Sequence, residues 1–209
     1  LPNALKAMDQ PTINGINTYI ISQAAKQNGL TVALSGLGGD ELFAGYDSFK
    51  TIPSINKFHK ILNTLPLNIR KIIGNILSTV IVDPDKKTKL IHLINGKINS
   101  SHVYFLIRTL FCDEGLTTLF SDQSLKEAEI SKNIERTQNL IDLKKNLSLT
   151  ELTSYLELTQ YTAPTLLRDT DMMSMANGLE VRVPLLDHKL VELMFSIPSK
   201  IITRKNIKK

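Results

Sequence analysis

Leu30-Thr31-Val32-Ala33-Leu34-Ser35-Gly36-Leu37-Gly38-Gly39-Asp40-Glu41-Leu42-Phe43-Ala44-Gly45-Tyr46 passes from a short apolar run into glycines and then into two adjacent carboxylates. Residues 30–34 are mostly apolar and partly β-branched, as a strand buried in a parallel sheet would be. Glycines let the backbone come close to a phosphate or a ribose, and the amides of a following helix favour an anion. The composition is that of a nucleotide site. The familiar phosphate motifs do not fit, because Gly36-x-Gly38 is followed by Gly39, Asp40 and Glu41, and no Gly-Lys-Ser/Thr follows. With two acids and no lysine in the loop, phosphate needs a bridging cation, and Mg²⁺ is the usual hard ion between carboxylates and phosphate oxygens. Asp40 and Glu41 are then metal-facing. The plainer alternative is that Asp40 caps a helix and the glycines form the turn that leads into it.

A lone parallel strand needs neighbours, either from sequence outside this chain or from a second copy in a homodimer. Around it the pattern is helical. Upstream, Ile16, Tyr19, Ile20, Ala24 and Ala25 recur at helical spacing and Asn28-Gly29 makes a stop. Downstream, helical patterns run approximately over 52–62, 67–82, 87–94 and 101–111, punctuated by Pro53, Pro66, Pro84 and Gly96. Residues 121–147 are more polar and read as an exposed helix or a connection. Ser148-Leu149-Thr150-Glu151 fits a capping box. Pro164 restarts the chain, Gly178 ends the next helix, and Asp187 caps a last helix over 190–197 that Pro198 stops.

The 209 residues amount to one domain or a large part of one, and the 42% apolar, 22% charged composition is that of a globular chain. The single cysteine, Cys112, excludes an intramolecular disulfide, fits a reducing cytoplasm, and sits in an apolar run as a structural thiol. The net charge of +5 collects at the end of the chain, in Lys200, Arg204, Lys205, Lys208 and Lys209, without interleaved aromatics, so no nucleic-acid partner is expected. The longest apolar patch, 72–82, falls short of the ~20 residues of a membrane span, and no membrane partner is expected. His59, His92, His102 and His188 are isolated, with no pair at metal-ligand spacing.

Two segments carry a family resemblance. Ser35-Gly36-x-Gly38-Gly39-Asp40-Glu41-Leu42-Phe43-x-Gly45-Tyr46 resembles the synthetase-domain signature of glutamine-dependent asparagine synthetases and their relatives. Asp171-Met172-Met173-Ser174-Met175-Ala176-Asn177-Gly178-Leu179-Glu180-Val181-Arg182-Val183-Pro184-Leu185-Leu186-Asp187 is similar to the family's second stretch, D-x-x-S-M-A-x-x-L-E-x-R-x-P-x-L-D, and Ala7-Met8-Asp9-Gln10-Pro11-Thr12 resembles the segment before the glycine loop. The resemblance implies a mainly α chain within an α/β parent: a partial adenine-nucleotide pyrophosphatase-type (HUP-like) synthetase domain with one parallel strand and a helical lobe. Residues 1–50 would carry the strand and glycine loop, 51–147 the helical lobe, and 148–209 the second motif and closing helices.

The same resemblance implies an ATP-dependent amide-forming synthetase, in which a carboxylate, aspartate by expectation, is adenylated and ammonia from glutamine displaces AMP. Ser35, Gly36 and Gly38 would touch ATP, and Asp40 would ligate Mg²⁺. Glu41, which either orients that shell or serves as a second ligand, joins Arg168 and Asp171 as the groups expected nearest the chemistry. The methionines of the second stretch are expected to pack rather than to meet a cofactor, and Glu180 with Arg182 to form a structural ion pair. Leu37 departs from the family pattern, where asparagine synthetases tend to carry a glutamate, and this leaves room for a relative that amidates a different carboxylate. The family's S-G-G-x-D-S ATP loop and its N-terminal glutaminase domain are not found here, and the chain begins with Leu1. The expectation is therefore a cytoplasmic fragment inactive alone. A non-catalytic helical interaction module is the rival reading.

Overall fold

The computed structural model describes residues 2–95, 100–109 and 147–203. Cys112, the polar run up to residue 146 and the tail from Arg204 lie outside the described residues. The chain divides into two compact units, Leu1–Tyr46 with Ser154–Lys209, and Asp47–Thr153.

In chain order, the first unit opens with α1 (Pro2–Ala7), α2 (Ile13–Gln27), β1 (Val32–Leu34) and the single turn α3 (Gly39–Leu42). Thr12 starts α2 by accepting a hydrogen bond from the Gly15 N–H, which satisfies one of the amides left over at a helix start. Asn28 ends it as the sequence suggests, its N–H reaching the carbonyls of Ala24 and Ala25.

The second unit follows with α4 (Ser48–Asn63), α5 (Leu67–Val80), α6 (Pro84–Asn95) and α7 (Ser100–Arg108). Here α5 lies against α6 and α4 against α7, and Phe49, Ile52, Leu62, Leu93, Ile94, Val103 and Tyr104 are buried. Pro53 lies inside α4 rather than at its edge, where the missing N–H removes one ladder bond without ending the helix. The next helix, α8 (Leu149–Leu156), starts on the expected capping box: Ser148 N–H donates to Glu151 Oε2 at 2.8 Å and Glu151 N–H donates to Ser148 Oγ at 3.3 Å.

The chain returns to the first unit along a π-helical segment (Glu157–Leu167) that runs directly into α9 (Arg168–Met175). Pro164 therefore does not restart the chain, contrary to the sequence reading. The wider turn of a π-helix relieves the clash between the proline ring and the preceding turn, which in an α-helix would break it. Strand β2 (Glu180–Arg182), a 3₁₀ turn (Pro184–Leu186), α10 (His188–Ser196) and α11 (Ser199–Ile202) close the described chain. Asp187 caps α10 through Oδ1, which accepts from the Lys189 N–H at 2.9 Å.

The expectation of a single strand is corrected. β1 pairs in parallel with β2, with Val32 opposite Glu180, Ala33 opposite Val181 and Leu34 opposite Arg182. Ser35 N–H extends the ladder to the Arg182 carbonyl at 2.8 Å. Among the described residues β1 bonds only to β2, and Leu34 is 74% exposed. The α9 helix lies against α2. Met173 is fully buried, which is worth about 1.5–3 kcal/mol for a side chain of that size, and the Asn177 side-chain amide donates to the Tyr19 and Met173 carbonyls. Glu180 and Arg182 do form an ion pair, at 2.7 Å, but both are more than half exposed, so it contributes little to stability. No described helix is long and apolar enough to cross a membrane.

Candidate functional site

The turn after β1 is built around three glycines. Leu37 N–H donates to Ser35 Oγ at 3.3 Å and Gly39 N–H to the Gly36 carbonyl at 3.1 Å, folding the chain back immediately beyond the strand. Gly38, at φ 94°, turns it into α3. That conformation is left-handed, and only glycine adopts it without strain.

A cleft of about 490 Å³ opens where this turn meets α2 and α9, within the roughly 300–1,000 Å³ typical of small-molecule sites. Ser35, Gly36 and Leu37 line it from the turn, Asn14, Asn17 and Thr18 from α2, Asp169 and Thr170 from α9, and Val181 from β2. A methyl placed on Gly36 would meet nothing within 4 Å.

The two acids of the loop take different places. Asp40 is half-buried in the first turn of α3 and does not line the cleft; a methyl on Gly45 would overlap its Oδ1, so the carboxylate lies directly over that glycine. Glu41 is 1% exposed. Its Oε1 accepts from Thr162 Oγ1 at 2.5 Å and from the Tyr46 hydroxyl at 3.1 Å, and its carbonyl accepts from Ser154 Oγ at 2.7 Å. Adjacent residues on a helix point about 100° apart, so the two acids of such a pair meet different surroundings. Tyr46 also meets Tyr161 edge to face, with ring centres 6.4 Å apart.

Burial, followed by the charge of Glu41 and the hydrogen bond to it, raises the Tyr46 pKa well above the ordinary 10.0 of a tyrosine. In the unfolded chain Tyr46 ionises near pH 10, whereas in the folded protein it keeps its proton to higher pH, so stability falls as pH rises beyond about 10. Urea denaturation at several alkaline pH values should show a shallower loss for Tyr46→Phe than for the unaltered chain. Equal slopes would reject this origin.

Of the charged groups on α9, Arg168 pairs with Asp9, Nε to Oδ2 at 2.5 Å, tying α9 to the segment between α1 and α2. Asp171 is exposed on the first turn. Neither lines the cleft; the two residues between them, Asp169 and Thr170, do. The signal for Asp169 was present in the helical register, since it stands four residues before the buried Met173 and so shares its face. Among the described residues no group of three or more His, Cys, Asp or Glu is placed to hold a metal ion. Mg²⁺ characteristically uses one or two carboxylates together with phosphate oxygens. Glu41 does not fit as a partner ligand, because Oε1 is engaged and the residue is enclosed.

Comparison with known proteins agrees over the whole chain: the family profile described as Asparagine synthase matches residues 1–209. A curated relative, the probable asparagine synthetase [glutamine-hydrolyzing] of Dictyostelium discoideum, is 35% identical over 63 residues, which cover 28% of this chain and 11% of that protein. No solved structure matches.

Proposed function

Because this chain belongs to the asparagine synthase family, we propose that its cleft receives the nucleotide of an ATP-dependent synthetase that activates a carboxylate, aspartate in the leading reading, and passes it to ammonia drawn from glutamine. The observation that carries this reading is the position of Ser35 and Gly36. They follow β1 at its carboxyl end and line the cleft, the place where open α/β sheets bind ligands.

Each residue has a physical part in that reading. Gly36 leaves the cleft wall bare, so a ribose can approach the backbone. Ser35 Oγ accepts from the Leu37 N–H, and its hydroxyl can turn its own hydrogen to an acceptor on the ligand. Gly38 contributes shape, holding the turn in a conformation that keeps Ser35 and Gly36 at the strand end. Asp40 stands outside the cleft lining, so it would hold the Mg²⁺ of the nucleotide only where the phosphates run out of the cleft past the glycine turn, and an ion held there would offset the charge that develops on departing pyrophosphate. Glu41 positions the turn from beneath, through Thr162, Tyr46 and Ser154. Arg168 acts in support by clamping Asp9, and Asp171 stands outside the cleft.

One observation favours amidation of a carboxylate other than aspartate. Leu37, the position at which asparagine synthetases tend to carry a glutamate, lines the cleft itself and offers a ligand only aliphatic surface.

Gly36→Val tests the assignment. The open space around Gly36 accepts the branched side chain, so the melting temperature should hold while Mg·ATP affinity, measured by calorimetry, falls by at least about tenfold. Unchanged affinity in a folded variant would remove the cleft from the reaction.

A further inference from the structure

We infer that Asp169 receives an amino group of the ligand that enters the cleft. The inference rests on the proposed nucleotide and amino-acid reading and specifies how that site recognises what it binds.

Asp169 is 2% exposed and lines the cleft. Its Oδ2 accepts from Thr12 Oγ1 at 2.7 Å, and Thr12 Oγ1 in turn accepts from the Gly15 N–H at 3.0 Å. The hydroxyl is thus used in both directions, and the carboxylate is held to the start of α2. Among the described residues Asp169 Oδ1 has no hydrogen-bond partner. A buried carboxylate oxygen left unpaired is costly, and the cost is recovered when a donor arrives.

The surroundings define the donor. Among the described residues lining the cleft, Asp169 is the charged one, and no lysine or arginine joins it. The neighbouring Arg168 is already engaged by Asp9. A phosphate or carboxylate brought to Asp169 would be repelled, whereas an N–H-bearing group, above all a cationic one, would be drawn to it. The proposed reaction supplies two such groups, the exocyclic amine of the adenine base and the α-ammonium of an aspartate-like acceptor.

The full chain is titrated, by ligand-observed NMR, with AMP against inosine monophosphate, which lacks the base amine, and with L-aspartate against succinate, which lacks the ammonium. One pair should be discriminated by about tenfold or more, and the pair that responds identifies the amino group. In Asp169→Asn the single side-chain oxygen is drawn to the Thr12 hydroxyl and the amide nitrogen turns toward the cleft, so the discrimination should shrink to within about twofold. Binding with no discrimination in either pair, or with the same discrimination in both proteins, overturns the role of Asp169 and leaves the nucleotide cleft standing. Failure of all four ligands to bind the unaltered chain overturns both. If Asp169→Asn does not fold, the two pairs on the unaltered chain decide the matter alone.

Discussion

Glu41→Ala is expected to lower the unfolding free energy by about 3 kcal/mol, because each buried donor stranded by the change costs on the order of 1–3 kcal/mol. Two are stranded. Thr162 is 1% exposed and has Glu41 Oε1 as its acceptor at 2.5 Å, and the Tyr46 hydroxyl donates to the same oxygen. The lost methylene and carboxyl volume adds a cavity that the π-helical segment on one side and α3 on the other are poorly able to close. Glu41→Gln separates the two contributions, since its remaining oxygen can still accept both bonds, and its cost should stay near about 1 kcal/mol. Denaturant midpoints for the two variants measure the difference. An alanine variant as stable as the glutamine one would mean that Thr162 and Tyr46 do not depend on this carboxylate.

Gly38→Ala should be nearly as damaging, for an unrelated reason. At φ 94° an L side chain is strained, and a methyl built there falls 2.5 Å from Leu186 Cδ2, 2.7 Å from Leu186 Cγ and 3.2 Å from the Leu185 carbonyl carbon. Left-handed strain of about 1–2 kcal/mol and overpacking of about 1–3 kcal/mol together give a loss of about 3 kcal/mol. The Leu186 side chain can yield and the backbone behind it cannot. A double-mutant cycle with Leu186→Ala should therefore recover the part owed to the side chain and leave the part owed to φ. Additive losses would show that Leu186 does not press on the turn. A folded Gly38→Ala protein should also bind nucleotide more weakly, because Ser35 and Gly36 reach the cleft through the same turn.

The sequence made some of this architecture readable because the determinants are local. Three glycines and an acid after an apolar run announce a turn at a strand end; Ser148 with Glu151, and Asp187 before a helical pattern, announce helix starts, and all three features are found. What stayed hidden is nonlocal. The segment Glu180–Arg182 has two charged residues in three and becomes a strand because β1 lies beside it, a partner that no local pattern names. Pro164 reads as a break under α-helical rules, yet the chain passes through it in a wider turn. Asp40 and Glu41 are chemically near-equivalent as text, and the Glu41 side chain turns inward to meet Thr162, more than a hundred positions away. On α9 the eye goes to Arg168 and Asp171 as charges in a motif, whereas the face that meets the cleft is the one in register with Met173, and that selects Asp169.

The parallel ladder joins Val32 near one end of the chain to Glu180 near the other, with the whole of the second unit looped out between them. Closing so long a loop costs entropy before any strand contact repays it. During synthesis, then, the second unit leaves the ribosome ahead of Glu180–Arg182, and among the described residues β1 has no ladder partner until that segment follows. The cleft, which Val181 helps to line, is in this sense late-maturing among the described elements, since it is complete only once translation has passed Arg182.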